Sequence, residues 1–178
     1  MTQNPRFPPG AGQPDPARPH AEQPDAEHPD PTQRWPAQRC PCGSGENYAG
    51  CCARFHQGAP TPTAEALMRS RYSANALLGE DPAFFATYLH RTWAAETRPA
   101  LRDLTAPGPV WRGLHIVDTT AGGPFHDIGT VEFVASYQDD AGPETRGAGA
   151  APVRGRLHEL SRFRRESGRW LYVDGDVS

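Results

Sequence analysis

Two periodicities divide the chain after residue 62. From Thr63 the apolar residues Leu67, Met68, Ala74, Leu77 and Leu78 recur at helical spacing, which predicts an amphipathic helix. Thr63 is a competent N-cap, Glu65 lies in the first turn where the helix dipole favours a carboxylate, and Gly79 ends the run. Asp81-Pro82 starts a second helix with a cap-then-proline pattern and leads into Phe84, Phe85, Tyr88 and Leu89. A short third helical segment is expected from Ala94 to Leu104. From Val110 the period falls to two. The alternation predicts strands over Val110–Val117, Ile128–Tyr137, Val153–Arg165 and Arg169–Val173. Turns fall at Thr119–Gly123 and Glu166–Gly168, and a Gly/Ala/Asp-rich loop at Asp139–Ala151. On the second strand Val131, Phe133, Ala135 and Tyr137 share one face, with Thr130, Glu132, Val134 and Ser136 on the other. Helices followed by an antiparallel meander make an α+β domain over 59–178, its helices packed on one sheet face.

One residue breaks the helical pattern. Arg71 follows Leu67 and Met68 by four and three positions, so it shares their buried face. Either its stem packs there while its head reaches water, or the guanidinium meets a buried carboxylate.

Residues 1–38 have neither periodicity. They hold half of the 20 prolines, and Phe7 and Trp35 are their only aromatics. Such a segment buries too little apolar surface to offset its ordering entropy, which predicts a disordered Pro-rich tail. Three arginines against five acids in the tail account for −2 of the chain's net −3, leaving the remainder close to neutral. No global basic field marks a nucleic-acid partner. No apolar run approaches the roughly 20 residues of a membrane span, and no secretory signal is recognised, so a cytoplasmic location is expected.

The chemistry concentrates in Arg39-Cys40-Pro41-Cys42-Gly43-Ser44-Gly45-Glu46-Asn47-Tyr48-Ala49-Gly50-Cys51-Cys52, which contains all four cysteines. A structural Zn²⁺ takes four N/S ligands in a tetrahedron, and Gly43 and Gly45 permit the tight positive-φ turn that aims paired sulfurs at one centre. Arg39 and Arg54 flank the site and would offset part of its charge. Two disulfides, a redox dithiol or free thiols are the alternatives. A bridge between the neighbours Cys51 and Cys52 would be strained, and redox use favours Cys-x-x-Cys. His56 is close enough in sequence to serve as a substitute ligand but reads as a surface residue or one behind the ligands.

This stretch resembles the SEC-C motif, a zinc knuckle also found at the C-terminus of the SecA translocation ATPase. The resemblance implies Cys40, Cys42, Cys51 and Cys52 as ligands of a structural Zn²⁺ within a knuckle over 39–58. Leu67-Met68-Arg69-Ser70-Arg71-Tyr72, Thr92-Trp93, Trp111-x-x-Leu114, Gly129-x-Val131-x-Phe133, Glu159-x-Ser161-Arg162-Phe163 and Gly168-x-Trp170-x-Tyr172-Val173-Asp174-Gly175 resemble the YchJ family. That family consists of uncharacterised bacterial proteins that join such a knuckle to a domain similar to nuclear transport factor 2. The resemblance implies a curved antiparallel sheet wrapped around helices into a cone that can hold a pocket. It implies no activity. Members often have His-Pro after Thr-Trp, where this chain has Ala94-Ala95.

Arg71, Tyr72, Trp93 and Glu159 are the candidate pocket residues, with Glu159 expected opposite Arg71, and no catalytic set is assigned. Arg162, Arg164, Arg165 and Arg169 cluster around the last hairpin and read as a solvated strand edge. The knuckle reads as a module tethered through a Pro/Thr hinge at Ala59–Pro62. The leading functional expectation is a non-enzymatic binding or adaptor protein. A small-molecule or enzymatic pocket, and association with the ribosome, RNA or the secretion apparatus, are the alternatives. An unidentified protein partner, an unidentified small ligand and dimerisation through the sheet all fit the sequence; a nucleic acid is disfavoured.

Overall fold

The computed structural model describes residues 38–106, 108–139 and 153–178. The tail predicted over 1–38 and the loop predicted over 139–151 lie, apart from Gln38 and Asp139, outside the described residues. Four antiparallel strands, β1 (Val110–Ala121), β2 (Ile128–Asp139), β3 (Val153–Glu166) and β4 (Arg169–Val177), form one sheet in the order β1-β2-β3-β4. This is the predicted meander. The register pairs Phe133 with Ile116 and Glu159, and Phe163 with Tyr172. Irregularities interrupt β1 between Trp111 and Gly113 and between Ile116 and Asp118, and the β3–β4 ladder between Arg162 and Phe163. Such bulges bend strands, and the sheet is curved. Ser167 and Gly168 both have positive φ, 47° and 78°, as a two-residue hairpin turn that matches strand twist requires.

Three helices are described: α1 (Ala53–His56), α2 (Ala64–Ala76) and α3 (Pro82–Arg91). Thr63 Oγ1 accepts from the Ala66 N–H at 3.0 Å, and Asp81 Oδ1 accepts from the Phe84 N–H at 3.1 Å. Both predicted caps are therefore formed. The predicted third helical segment is only a 3-10 turn at Leu101–Thr105. The backbone before it is committed elsewhere: Tyr172 N–H donates to Thr92 O at 2.9 Å and Ala94 N–H donates to Tyr172 O at 2.8 Å. Pro99 also biases Arg98 away from helical geometry.

α2 is the organising element because it is buried on two flanks. On the sheet side Ala64, Leu67, Met68 and Tyr72 pack with Val131, Phe133, Ala135, Phe163 and Trp170. On the other side Ala74 and Leu77 join Phe85, Tyr88 and Leu89 of α3 in a core that also includes Cys40, Cys42, Tyr48, Cys52, Ala53 and Phe55. The knuckle is thus packed against the helices, and residues 59–62 do not act as a free tether. A Cβ at Gly43, whose φ is 78°, would meet the Leu114 carbonyl oxygen at 3.3 Å, so the knuckle turn also sits against β1.

Candidate functional site

The cysteines converge because the chain turns back on itself twice. Arg39 and Asn47 form a β-bridge, Cys40 N–H donates to Glu46 O at 2.8 Å, and the intervening Gly43 and Gly45 have φ values of 78° and 83°. These are the left-handed positions expected of both glycines. A 3-10 turn over Tyr48–Gly50 then delivers Cys51 and Cys52. The four Sγ atoms lie within 4.8 Å of one another, and all four cysteines are free. Cys42 Sγ is 3.6 Å from Cys51 Sγ, which is 3.9 Å from Cys52 Sγ. Four thiols in this arrangement can hold a metal ion.

Hydroxyls from two elements support the cluster. Ser44 Oγ lies 3.3 Å from Cys51 Sγ, while Ser73 Oγ on α2 lies 3.6 Å from Cys40 Sγ and donates to Cys52 Sγ at 3.5 Å. Arg69, one α2 turn before Ser73, donates Nη1 to Cys42 O at 2.9 Å and Nε to Glu65 Oε1 at 2.8 Å. The predicted flanking arginines do less. Arg39 donates to Gly45 O, and Arg54 lies over the Phe55 ring. Without a cation the thiols divide. The hydrogen bond with Cys40 pushes Cys42 far down, while bonding to Cys40 and Cys42 pushes Cys52 far up. Cys40 is pushed up to about 11 by its bond with Cys42. Thiols this close cannot all ionise unless a positive charge joins them.

His56 is not a surface residue. It is fully buried and lies outside the cysteine cluster. Its Nε2 is 2.9 Å from Ser70 O, which can only accept, so Nε2 carries the proton and Nδ1 accepts from Tyr48 OH at 2.5 Å. Ser70 Oγ donates to Leu67 O at 2.9 Å and accepts from Tyr88 OH at 2.5 Å. Burial holds His56 down to about 4. Arg91 closes the arrangement from α3 by donating to Phe55 O and His56 O. These contacts join the knuckle to α2 and α3, and within them each His56 ring nitrogen and the Tyr48, Ser70 and Tyr88 hydroxyls are paired. Ser70, Ser73, Arg69 and Arg91 carry this support although none of them is a candidate site residue by sequence. Their signal was the interruption of an otherwise apolar helix flank by serines three residues apart.

The sheet-side flank of α2 differs. A cavity of about 320 Å³ lies between α2 (Met68, Arg71, Tyr72, Asn75), the strands (Phe133, Ala135, Leu157, Glu159, Ser161, Tyr172) and the flanking residues Trp93, Leu104 and Trp111. Arg71, Tyr72, Trp93 and Glu159 thus line one cavity. The direct Arg71–Glu159 ion pair is absent. Arg71 Nη1 instead donates to Leu89 O and Thr92 Oγ1, both at 2.8 Å, at the C-terminal end of α3. The negative end of that helix dipole and two aromatic faces, Trp93 at 4.8 Å and Tyr172 at 4.6 Å, hold the cation. Burial still pulls Arg71 below its ordinary value, to about 10. Glu159 Oε1 accepts from Ser161 Oγ at 2.6 Å and from Tyr172 OH at 3.0 Å.

The predicted basic cluster changes character. β3 is an inner strand, so Arg162 and Arg164 lie on a sheet face rather than an edge. Arg162 pairs with Asp174 and Asp176, Arg164 with Glu96 and Glu166, and Arg165 donates to Pro124 O. Among the described residues no helix is long and apolar enough to cross a membrane.

Comparison with known proteins matches these two parts separately. A family model described as YchJ, middle NTF2-like domain, matches residues 63–175, and a SEC-C motif model matches residues 38–54. The chain is 51% identical over 137 residues to UPF0225 protein SCO1677 of Streptomyces coelicolor, covering 76% of this chain and 93% of that one. It is 43% identical over 138 residues to UPF0225 protein Cgl1438/cg1626 of Corynebacterium glutamicum, covering 77% and 95%. Among solved structures, the solution structure of RPA3114, a SEC-C motif containing protein from Rhodopseudomonas palustris, is 30% identical with a TM-score of 0.58, covering 79% of this chain and 99% of that one.

Proposed function

The chain belongs to the YchJ family of UPF0225 proteins, and from that membership we propose a non-enzymatic binding protein in which a structural Zn²⁺ fixes one wall of a small-ligand pocket. The observation that carries the reading is that α2 supports both sites: Ser73 meets the cysteines, and Arg71 and Tyr72 face the cavity. Zinc suits the donor set. Bonds of about 2.3 Å to four thiolates at tetrahedral angles give sulfur separations of about 3.8 Å, close to the 3.6 and 3.9 Å present. Cys40, Cys42, Cys51 and Cys52 would fill all four positions. That closed site leaves none for substrate, as in structural rather than catalytic zinc centres. When bound, the cation stabilises four thiolates in a small segment and offsets the entropy of ordering it.

The cavity favours binding over catalysis. No histidine lines it, and Ser161 and Tyr172 both spend their hydroxyl protons on one oxygen of the Glu159 carboxylate, which holds that side chain in place as a fixed acceptor. A reducing cytoplasm would keep the thiolates available for metal. Metal analysis of purified protein tests the zinc assignment: about one Zn²⁺ per chain is expected, and a metal-free protein with two disulfides contradicts it. A second reading, docking of a protein partner on the knuckle, is favoured by the exposed rim 43–47. If a pull-down partner is lost on Glu46→Ala with zinc retained, the adaptor reading gains support. An unchanged partner set counts against it.

A further inference from the structure

The cavity beneath α2 contains a cation and a carboxylate that do not satisfy each other. Arg71 is only 7% exposed. Its Nη1 is occupied, but Nε and Nη2 make no hydrogen bond within the protein and are not sealed off from solvent. Trp93 and Tyr172 cover the guanidinium through its interactions with their rings. A guanidinium edge with two unused donors is the group that grips a carboxylate in a two-pronged fashion. Glu159 has one oxygen engaged by Ser161 and Tyr172 and the other without a donor. Tyr172 bridges the charges, its ring against Arg71 at 4.6 Å and its hydroxyl 3.0 Å from Glu159. The adjoining surface, from Met68, Trp111, Phe133 and Leu157, is apolar.

We propose that the cavity binds a small organic carboxylate that also carries an amine or hydroxyl donor on a flat apolar body, with Arg71 holding the carboxylate and Glu159 the donor. This rests on the pocket reading above. The unused Arg71 donors and the free Glu159 oxygen would pair directly with such a ligand, so an analogue lacking either group should bind more weakly.

The test is calorimetric titration of the purified chain with L-phenylalanine, 3-phenylpropanoate and 2-phenylethylamine, supported by tryptophan fluorescence. L-Phenylalanine should bind best, and each analogue about tenfold more weakly, as expected for loss of one charge-assisted contact. Glu159→Gln should abolish the preference over 3-phenylpropanoate, and Arg71→Met the preference over 2-phenylethylamine. If Arg71→Met fails to fold by circular dichroism, Glu159→Gln still decides. Equal affinity for all three, or preferences that survive both substitutions, overturns the ligand class. Neutral N-phenyl-1-naphthylamine separates the two levels. If it alone binds, and Leu157→Trp blocks it, the ligand class fails while the pocket stands. If no probe binds, both fail.

Discussion

The two flanks of α2 are built from similar materials and end in opposite states. On the knuckle flank, His56, Tyr48, Ser70 and Tyr88 form a buried chain in which each ring nitrogen and hydroxyl has a partner. On the sheet flank, Arg71 and Glu159 each retain hydrogen-bonding capacity that the protein leaves unused. A saturated polar network has nothing left to offer a ligand and contributes rigidity. One with donors and acceptors to spare can exchange solvent for a ligand. The comparison separates polar groups that join the knuckle to the helices from polar groups that keep capacity to spare.

The largest effect expected is on the knuckle flank. With the proposed Zn²⁺ in the cluster, Cys52→Ser should release it and destabilise the protein by several kcal/mol, on the order of 5, because a structural metal site contributes folding energy directly. Thermal unfolding with parallel metal analysis measures both. His56→Ala should cost about 3 kcal/mol, since it leaves a cavity and removes the hydrogen bonds that the ring makes with Tyr48 OH and Ser70 O. The same ring predicts a pH dependence. Its folded value is about 4 against an ordinary 6.5, so the unfolded chain takes up the proton first as pH falls. Stability is complete above pH 6.5 and is lost down to pH 4, by about 3 kcal/mol in total. His56→Gln should flatten that part of the profile. Because thiolate protonation is common to both proteins, the difference between their curves isolates the ring.

Smaller effects are expected on the sheet flank. Arg71→Met should leave stability within about 1 kcal/mol, since removing a desolvated cation offsets the lost hydrogen bonds. A loss as large as that of His56→Ala would make Arg71 structural and erase the contrast between the flanks. Least of all should follow from Arg162→Gln on the outer sheet face, where the ion pairs with Asp174 and Asp176 are exposed. Its melting temperature should match the parent's, because exposed pairs are screened and contribute little.

Local signals carried much of the fold into the sequence. Thr63 and Asp81-Pro82 mark helix starts by backbone chemistry that depends on no distant residue, and the alternation through Val131, Phe133 and Ala135 fixes which strand face is buried. Long-range facts were hidden. Ala94 to Ala100 looks helical until Tyr172 claims the neighbouring backbone, a contact between residues far apart in sequence. Arg71 was legible as a misfit, but its partners were not: the α3 carbonyl and the Trp93 and Tyr172 rings replace the expected carboxylate. The cysteine spacing was informative, whereas Ser73 and Arg69 reveal their part only when α2 packs against the knuckle.

The central claim is that a metal on one flank of α2 maintains the pocket wall on the other. Amide hydrogen exchange across residues 64–76, before and after metal chelation, tests it most directly. The account predicts that chelation speeds exchange through Arg71 and Tyr72 as well as through the knuckle. Faster exchange confined to residues 38–58, with 64–76 as protected as before, would contradict it.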